Sequence, residues 1–139
     1  MEVWTVIPKM AIALGVATVS MVSEIQFRGT VSSPTQVGAE YIVFETYQNN
    51  HVRGLVYIQN SDIGSCFEGV FNSQQTQIQQ ITYTYPVIVN NHDEGWETNV
   101  SDEALNLSTF SHSFNSSEIN ENVQAWFNEC LEVISNPLE

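Results

Sequence analysis

The alternation of apolar and polar residues predicts a series of antiparallel β-strands over the middle of the chain. Residues 24–30 place Ile25 and Phe27 on one side and charged or amide side chains on the other, as a half-buried strand does. Four further runs rich in aromatic and β-branched residues follow at intervals of about ten residues. Asn49 and Asn50, which tolerate positive φ, predict a tight hairpin. The predicted strands are 24–30, 40–48, 51–59, 65–71 and 77–85, the last ending at Pro86 with 87–89 as a candidate continuation.

The C-terminal part of the chain predicts one amphipathic helix over residues 119–134. Its apolar positions recur mostly at spacings of three and four, and they are Ile119, Val123, Trp126, Phe127, Cys130 and Ile134. Asn115 followed by Glu118 resembles a capping box, which indicates where the helix begins. Pro137 ends the helix, because proline cannot continue the backbone hydrogen bonds.

The two cysteines, Cys66 and Cys130, are predicted to form a disulfide. In strand 65–71, Cys66 lies on the face opposite Phe67 and Phe71. Cys130 lies on the apolar stripe of the helix, so the two cysteines meet if the helix covers that face of the sheet. Two buried free thiols are the alternative. The lack of a CxxC motif excludes a zinc ribbon and a thioredoxin-like site.

These elements predict a single α+β domain. The sheet is expected to be an antiparallel meander of five to seven strands, curled or barrel-like, with one C-terminal helix packed on it. The polar segment 90–115 lacks a regular period and is predicted to be a long loop with one or two short strands.

Residues 1–23 resemble a signal peptide or a hydrophobic N-terminal anchor, which leaves 24–139 as the single β-rich domain with its helix. Lys9 precedes a short apolar run, which is the layout of a cleaved leader, although Glu2 departs from it. The apolar stretch 3–22 is also long enough to span a bilayer, and a buried strand or helix is a third interpretation. The predicted location is periplasmic or secreted, or membrane-anchored if 3–22 is retained. Membrane association is predicted only through these residues.

The net charge of the chain limits the kinds of molecule that it could bind. The chain has 139 residues, with 3 basic against 16 acidic side chains and a formal net charge of -13. A nucleic-acid partner is excluded, because phosphate binding needs clustered Lys and Arg. We predict a protein partner or a surface instead, and the residues suggest no cofactor.

Two groups of residues are candidate binding sites. Oxygen ligands at Asp93, Glu94 and Glu97 are the candidate calcium site, although their spacing does not fit the EF-hand template. The candidate ligand-binding residues are aromatic side chains that could line the cavity of a small barrel, namely Tyr41, Phe44, Tyr57 and Tyr83. The alternative is that these aromatics are ordinary core residues.

Catalytic signals are weak. The chain has no G-x-S-x-G nucleophile motif, and no catalytic residue is predicted. Carboxylate pairs such as Glu45 and Glu68 could face each other across strands. We therefore expect that the protein is not an enzyme.

Three features of the chain are shared with other small proteins. They are a tyrosine-rich strand pair within 40–71, the turn entering Ser65-Cys66-Phe67 with Gly69 beyond it, and a lone cysteine near the C-terminus, Cys130. In these features the chain resembles a group of small exported proteins common in cyanobacteria, which have no assigned function. The resemblance implies an exported β domain with one disulfide, and it supplies no active residue.

The leading functional hypothesis is an exported, non-enzymatic domain that binds a protein partner or surface. A lipocalin-like carrier of a small apolar ligand is the second hypothesis, and a small hydrolase is the third. A closed cavity lined by Tyr and Phe would favour the carrier, and a cleft with two facing carboxylates would favour the hydrolase.

Overall fold

A computed structural model describes residues 24–89 and 93–135. The predicted leader, residues 1–23, lies outside these described residues. Eight strands and one α-helix, α1 (Glu121–Ser135), form the described part, with short 3₁₀ turns between some of them. The strands are β1 (Glu24–Gly29), β2 (Glu40–Tyr47), β3 (His51–Ile58), β4 (Gly64–Phe71), β5 (Gln77–Val89), β6 (Asp93–Val100), β7 (Leu105–Asn106) and β8 (His112–Phe114).

The strands form one antiparallel sheet in the order β6-β5-β4-β3-β2-β1-β8, and β7 pairs with the start of β5. The first five strands are therefore a meander in which each strand pairs with the next along the chain. The path does not close on itself, so the sheet is curled rather than a closed barrel. The predicted α+β class, with an antiparallel meander and one C-terminal helix, is confirmed.

The connection between β7 and β8 requires the sheet to be strongly curled. Six strand spacings separate β7 from β8 along the sheet, which is about 29 Å if the sheet were flat. Only residues 107–111 join the two strands, and Leu107–Thr109 form a 3₁₀ turn. Even a fully extended chain between Asn106 and His112 reaches only about 20 Å. The two edges of the sheet must therefore approach each other.

Both faces of the sheet are buried, which explains why several strands lack a simple alternation. On one face, helix α1 packs over β3 and β4, and its residues Val123, Phe127 and Cys130 join the core formed by Tyr41, Val43, Leu55 and Tyr57. On the other face, Leu107 and Phe110 from the β7–β8 connection cover a second core, which contains Ile42, Phe44, Phe67, Phe71, Ile78 and Ile81. The predicted division of β4 is confirmed, since Cys66 belongs to the first core and Phe67 and Phe71 to the second.

A β-bulge in β5 lets Ile78 and Ile81 face the same core. In a regular strand, residues separated by three positions point to opposite faces. The register between β4 and β5 shifts beside Gly69, and Gln80 has a φ of 55°. A Cβ at Gly69 would lie 2.7 Å from the Gln79 carbonyl oxygen, so the close backbone approach at the bulge requires glycine.

Strand β5 continues through Pro86, and its second half forms a two-stranded ribbon with β6. The ladder from β4 to β5 ends at the pair of Cys66 and Thr84, whereas the ladder to β6 continues from Thr82 to Val89. Beyond Thr84 only one side of β5 needs backbone donors, and proline is tolerated at such an edge.

The helix begins at a different residue from the one that the sequence suggested. Glu118 does accept a hydrogen bond from the Asn115 N–H at 3.1 Å, but this cap serves the 3₁₀ turn Ser116–Glu118. The α-helix is capped by Asn120, whose side-chain oxygen accepts from the Val123 N–H at 2.9 Å. In the described part of the chain, no helix is both long and apolar enough to cross a membrane.

Candidate functional site

The Cys66–Cys130 disulfide fixes the helix to the centre of the sheet. The S–S distance is 2.07 Å and the Cα–Cα distance is 5.2 Å, and both cysteines are buried. The predicted disulfide is confirmed. Because it holds α1 on β4, it also fixes the position of the helix relative to the neighbouring ribbon of β5 and β6.

A groove runs between α1 and this ribbon, and two tryptophans line it. Direct cross-strand pairing places Pro86 opposite Trp96 and Ile88 opposite Glu94, so these four residues share one face of the ribbon. Trp126 and Glu129, one helical turn apart, come from α1. The groove has a volume of about 570 Å³, and its described lining residues are Pro86, Val87, Ile88, Glu94, Gly95, Trp96, Trp126 and Glu129. We call it the tryptophan groove.

The two tryptophans of this groove pack against the core on one side and remain partly exposed on the other. Both pack against the core on the helix-covered face, and each is half-buried. The Trp126 ring lies 6.2 Å from the Tyr57 ring, centroid to centroid. Gly64 lies directly beneath it, since a Cβ at that position would be 2.5 Å from the Trp126 indole. Trp126 thus has a fixed position, and glycine at 64 provides the room.

Trp126 also lines a second cavity, at the start of α1. Its volume is about 500 Å³, and its described lining residues are Tyr57, Ile58, Gln59, Asn60, Ser61, Asp62, Asn120, Asn122, Val123 and Trp126. The first six come from the end of β3 and the turn into β4, and the rest come from the first turns of the helix. We call it the helix-start cavity.

The four aromatic residues predicted to bind a ligand are distributed over both faces of the sheet. Tyr41 and Tyr57 stack at 5.6 Å on the helix-covered face, whereas Phe44 and Tyr83 belong to or pack against the opposite core. The Tyr41 hydroxyl donates to the Ser33 carbonyl oxygen and accepts from the Gln36 N–H, so it holds a loop. Only Tyr57 lines one of the cavities described above, and its role in binding a ligand stays a prediction.

Burial raises the pKa of two of these tyrosines, Tyr57 and Tyr83. The pKa of Tyr57 lies well above its usual range, first because burial disfavours the phenolate and second because Tyr41 is close. Burial, with Glu40 and Glu103 nearby, also raises the pKa of Tyr83. Both phenols therefore stay neutral at physiological pH.

The predicted calcium ligands do not share one face of the ribbon. Glu94 lies opposite Ile88 and lines the tryptophan groove, whereas Glu97 lies opposite Tyr85, whose hydroxyl donates to it at 3.4 Å. Residues three apart in a strand point to opposite faces, so one ion would not contact both carboxylates. Asp93 begins β6, and its side chain lies outside the described part. Among the described residues, no group of three or more His, Cys, Asp or Glu side chains is placed to hold a metal.

The carboxylates of Glu45 and Glu68 flank a cation. Arg53 on β3 is the direct cross-strand neighbour of both residues, and its Nε lies 2.6 Å from Glu45 Oε2. The Arg53 guanidinium also lies over the Tyr47 ring, 4.5 Å from its centroid. This arrangement neutralises the charge of Glu45, which is only 6% exposed, and it gives the Glu45 carboxylate a structural role.

Comparison with known proteins gives no relative. No protein-family model matches the chain, and neither a curated protein nor a solved structure matches it.

Sequence reasoning missed the role of Trp96 and Glu129. Segment 90–115 was predicted as a loop, so Trp96 had no assigned face. The available signal was the spacing of two between Glu94 and Trp96, which puts both on one face once a strand is assumed. Glu129 lies three positions after Trp126, which is one helical turn.

Proposed function

We propose that the chain is an exported, non-enzymatic binding domain that uses the tryptophan groove to bind a basic, partly apolar segment of a partner protein. The observation that carries this proposal is the pair of half-buried tryptophans, one from the ribbon and one from the helix, in a single groove. Tryptophan is enriched among the residues that dominate binding energy at protein interfaces.

The groove combines apolar area with negative charge. Ile88 is 70% exposed and continues the apolar surface of Trp96 along the ribbon. Glu94 and Glu129 are exposed carboxylates on the two sides, one from the ribbon and one from the helix. A partner with apolar side chains between Lys or Arg residues would contact both features.

The charge of the whole chain favours the same partner. A net charge of -13 attracts a cationic segment over several ångströms and repels an acidic one. The disulfide is compatible with an oxidising compartment outside the cytoplasm, where such a domain would meet its partner.

The proposal is tested by calorimetric titration with an amphipathic peptide made of Lys and Leu. The wild-type protein should bind it, and a peptide of the same design made of Glu and Leu should not bind. Trp96→Ala should weaken binding by roughly tenfold or more, since a central tryptophan typically contributes at least about 2 kcal/mol. Affinity for the Lys/Leu peptide should fall as NaCl is added.

A second variant keeps the test valid if Trp96→Ala fails to fold. The double substitution Glu94→Gln and Glu129→Gln keeps the size of both side chains and removes both charges. Its matched control is Glu24→Gln with Glu103→Gln, which removes two exposed charges outside the groove. Equal loss of binding in both double variants would show that only the net charge matters, and the groove would not be the binding site.

A further inference from the structure

The helix-start cavity has an unusual set of polar groups. Six of its lining residues carry an amide or a hydroxyl, namely Tyr57, Gln59, Asn60, Ser61, Asn120 and Asn122, and Asp62 carries the one carboxylate. The cavity is wide enough for one or two small rings, since ligand sites commonly measure about 300–1,000 Å³.

Gln59 is the clearest sign that the cavity accepts a ligand with hydrogen-bond donors. Gln59 is only 7% exposed, and its Oε1 atom is buried with no hydrogen-bond partner in the described part of the chain. Its Nε2 donates to Asn60 Oδ1 at 2.8 Å. A buried acceptor without a partner costs free energy, and a ligand satisfies it if the amide rotates about its broad terminal torsion and exchanges its bond to Asn60 for bonds to the ligand.

The amides beside Gln59 supply donors on both walls of the cavity. The oxygen of Asn60 is used by Gln59, and the oxygen of Asn120 is used by the Val123 N–H, so both amides direct their acceptors into the protein. Each terminal amide carries two N–H donors as well.

Trp126 gives the cavity an aromatic wall, with Tyr57 packed behind it at 6.2 Å. The face of an aromatic ring carries partial negative charge, so it attracts weakly polarised C–H groups that stack on it. A ligand with C–H groups on one face and hydroxyls around its edge would use both the aromatic wall and the amides.

We propose that the helix-start cavity binds a neutral saccharide unit. Hydroxyl groups both donate and accept, which matches a lining of amides, two hydroxyls and one carboxylate. An anion is disfavoured, because none of the ten described residues lining the cavity is a cation and Asp62 would repel it. A divalent cation is disfavoured as well, since Asp62 is the one charged oxygen ligand among them.

This site is separate from the proposed protein-binding groove, although both contact Trp126. Asn122 and Asp62 line the helix-start cavity but not the tryptophan groove. Trp96 lines the groove but not the cavity. Variants at these positions therefore distinguish failure of one proposal from failure of the other.

The test is saturation-transfer NMR with the full chain and a panel of sugars, namely glucose, galactose, mannose and N-acetylglucosamine. Each sugar is added at about 10 mM, which is above a Kd of about 1 mM, together with glucose 6-phosphate as the anionic comparison. At least one neutral sugar should receive saturation, and glucose 6-phosphate should receive less than glucose. Asn122→Ala and Asp62→Ala should each weaken the binding sugar by roughly tenfold, because each removes a hydrogen-bonding group from the cavity.

Asn128→Ala is the matched control for Asn122→Ala. Both residues are exposed on α1, but Asn128 lies outside the helix-start cavity, so this variant should bind the sugar as the wild type does. Trp96→Ala should also leave sugar binding unchanged. Absence of saturation transfer to every neutral sugar in the panel, or equal binding by Asn122→Ala and the wild type, would overturn the proposal.

Discussion

Cys66 on β4 and Cys130 on α1 are joined across 64 residues of sequence, and this bond ties the only described helix to the middle of the sheet. The disulfide closes a loop of nearly half of the chain, and its reduction would open that loop. The tryptophan groove and the helix-start cavity both depend on it, because each has one wall from α1.

Loss of the disulfide should therefore lower stability strongly. The double substitution Cys66→Ala and Cys130→Ala should reduce the free energy of unfolding by about 2–5 kcal/mol, as removal of a disulfide does in small domains. Denaturant titration of the wild type and the double variant measures this difference. Unchanged stability would mean that the helix is held by its apolar contacts alone.

Gly64→Ala should disturb Trp126. The new methyl group would lie 2.5 Å from the indole and 2.9 Å from the Val56 carbonyl oxygen, so the ring must move. We expect a loss of about 1–3 kcal/mol in stability and altered tryptophan fluorescence. The control is a double-mutant cycle with Trp126→Ala, in which the cost of Gly64→Ala should shrink. An equal cost in both backgrounds would show that the backbone contact alone is responsible.

Tyr57 should make the fold sensitive to alkaline pH. Its pKa is raised in the folded state by burial, whereas the unfolded chain releases the proton near pH 10. The folded state then keeps a proton that the unfolded state loses, so stability is complete below about pH 10 and falls as pH rises above it. Tyr57→Phe should show a smaller fall between pH 9 and about pH 11 in denaturant titrations. If the stability of Tyr57→Phe falls as steeply as that of the wild type, other titrating groups cause the fall.

Added salt should stabilise the protein. With 16 acidic and 3 basic side chains, repulsion between carboxylates opposes the compact state, and ions screen it. Melting temperatures in NaCl should rise, and MgCl₂ and CaCl₂ compared at equal ionic strength test the predicted site at Asp93, Glu94 and Glu97. Because Glu94 and Glu97 point to opposite faces of the ribbon, the calcium and magnesium curves should coincide, and a larger effect of calcium would contradict this expectation.

The central sheet could be predicted because its residues combine strand preference with regular turns. Glu24–Gly29, Glu40–Tyr47 and His51–Ile58 lie within about two residues of the predicted bounds. The hairpin at Asn49 and Asn50 was also predictable, since both residues adopt positive φ, 58° and 64°.

The ribbon of β5 and β6 could not be predicted in the same way. The β6 sequence, DEGWETNV, has Trp96 and Val100 as its only apolar residues, and its first three residues are two acids and a glycine, so its strand signal is weak. It is an edge strand that pairs only with β5, and exposed acidic side chains are common at such edges. The tryptophan groove was missed for this reason, since its position depends on the pairing of Trp96 with Pro86.

We propose that Trp96 and Trp126 together form a binding surface for a basic, apolar segment. The most direct measurement is ¹⁵N NMR of the full chain during titration with the Lys/Leu peptide, following the side-chain indole N–H signals of its three tryptophans. Trp96→Phe and Trp126→Phe assign the two groove signals. We predict that both signals shift together with one saturation curve, and that the Glu/Leu peptide leaves them in place. Unchanged indole signals at saturating Lys/Leu peptide, or equal shifts with both peptides, would contradict the account.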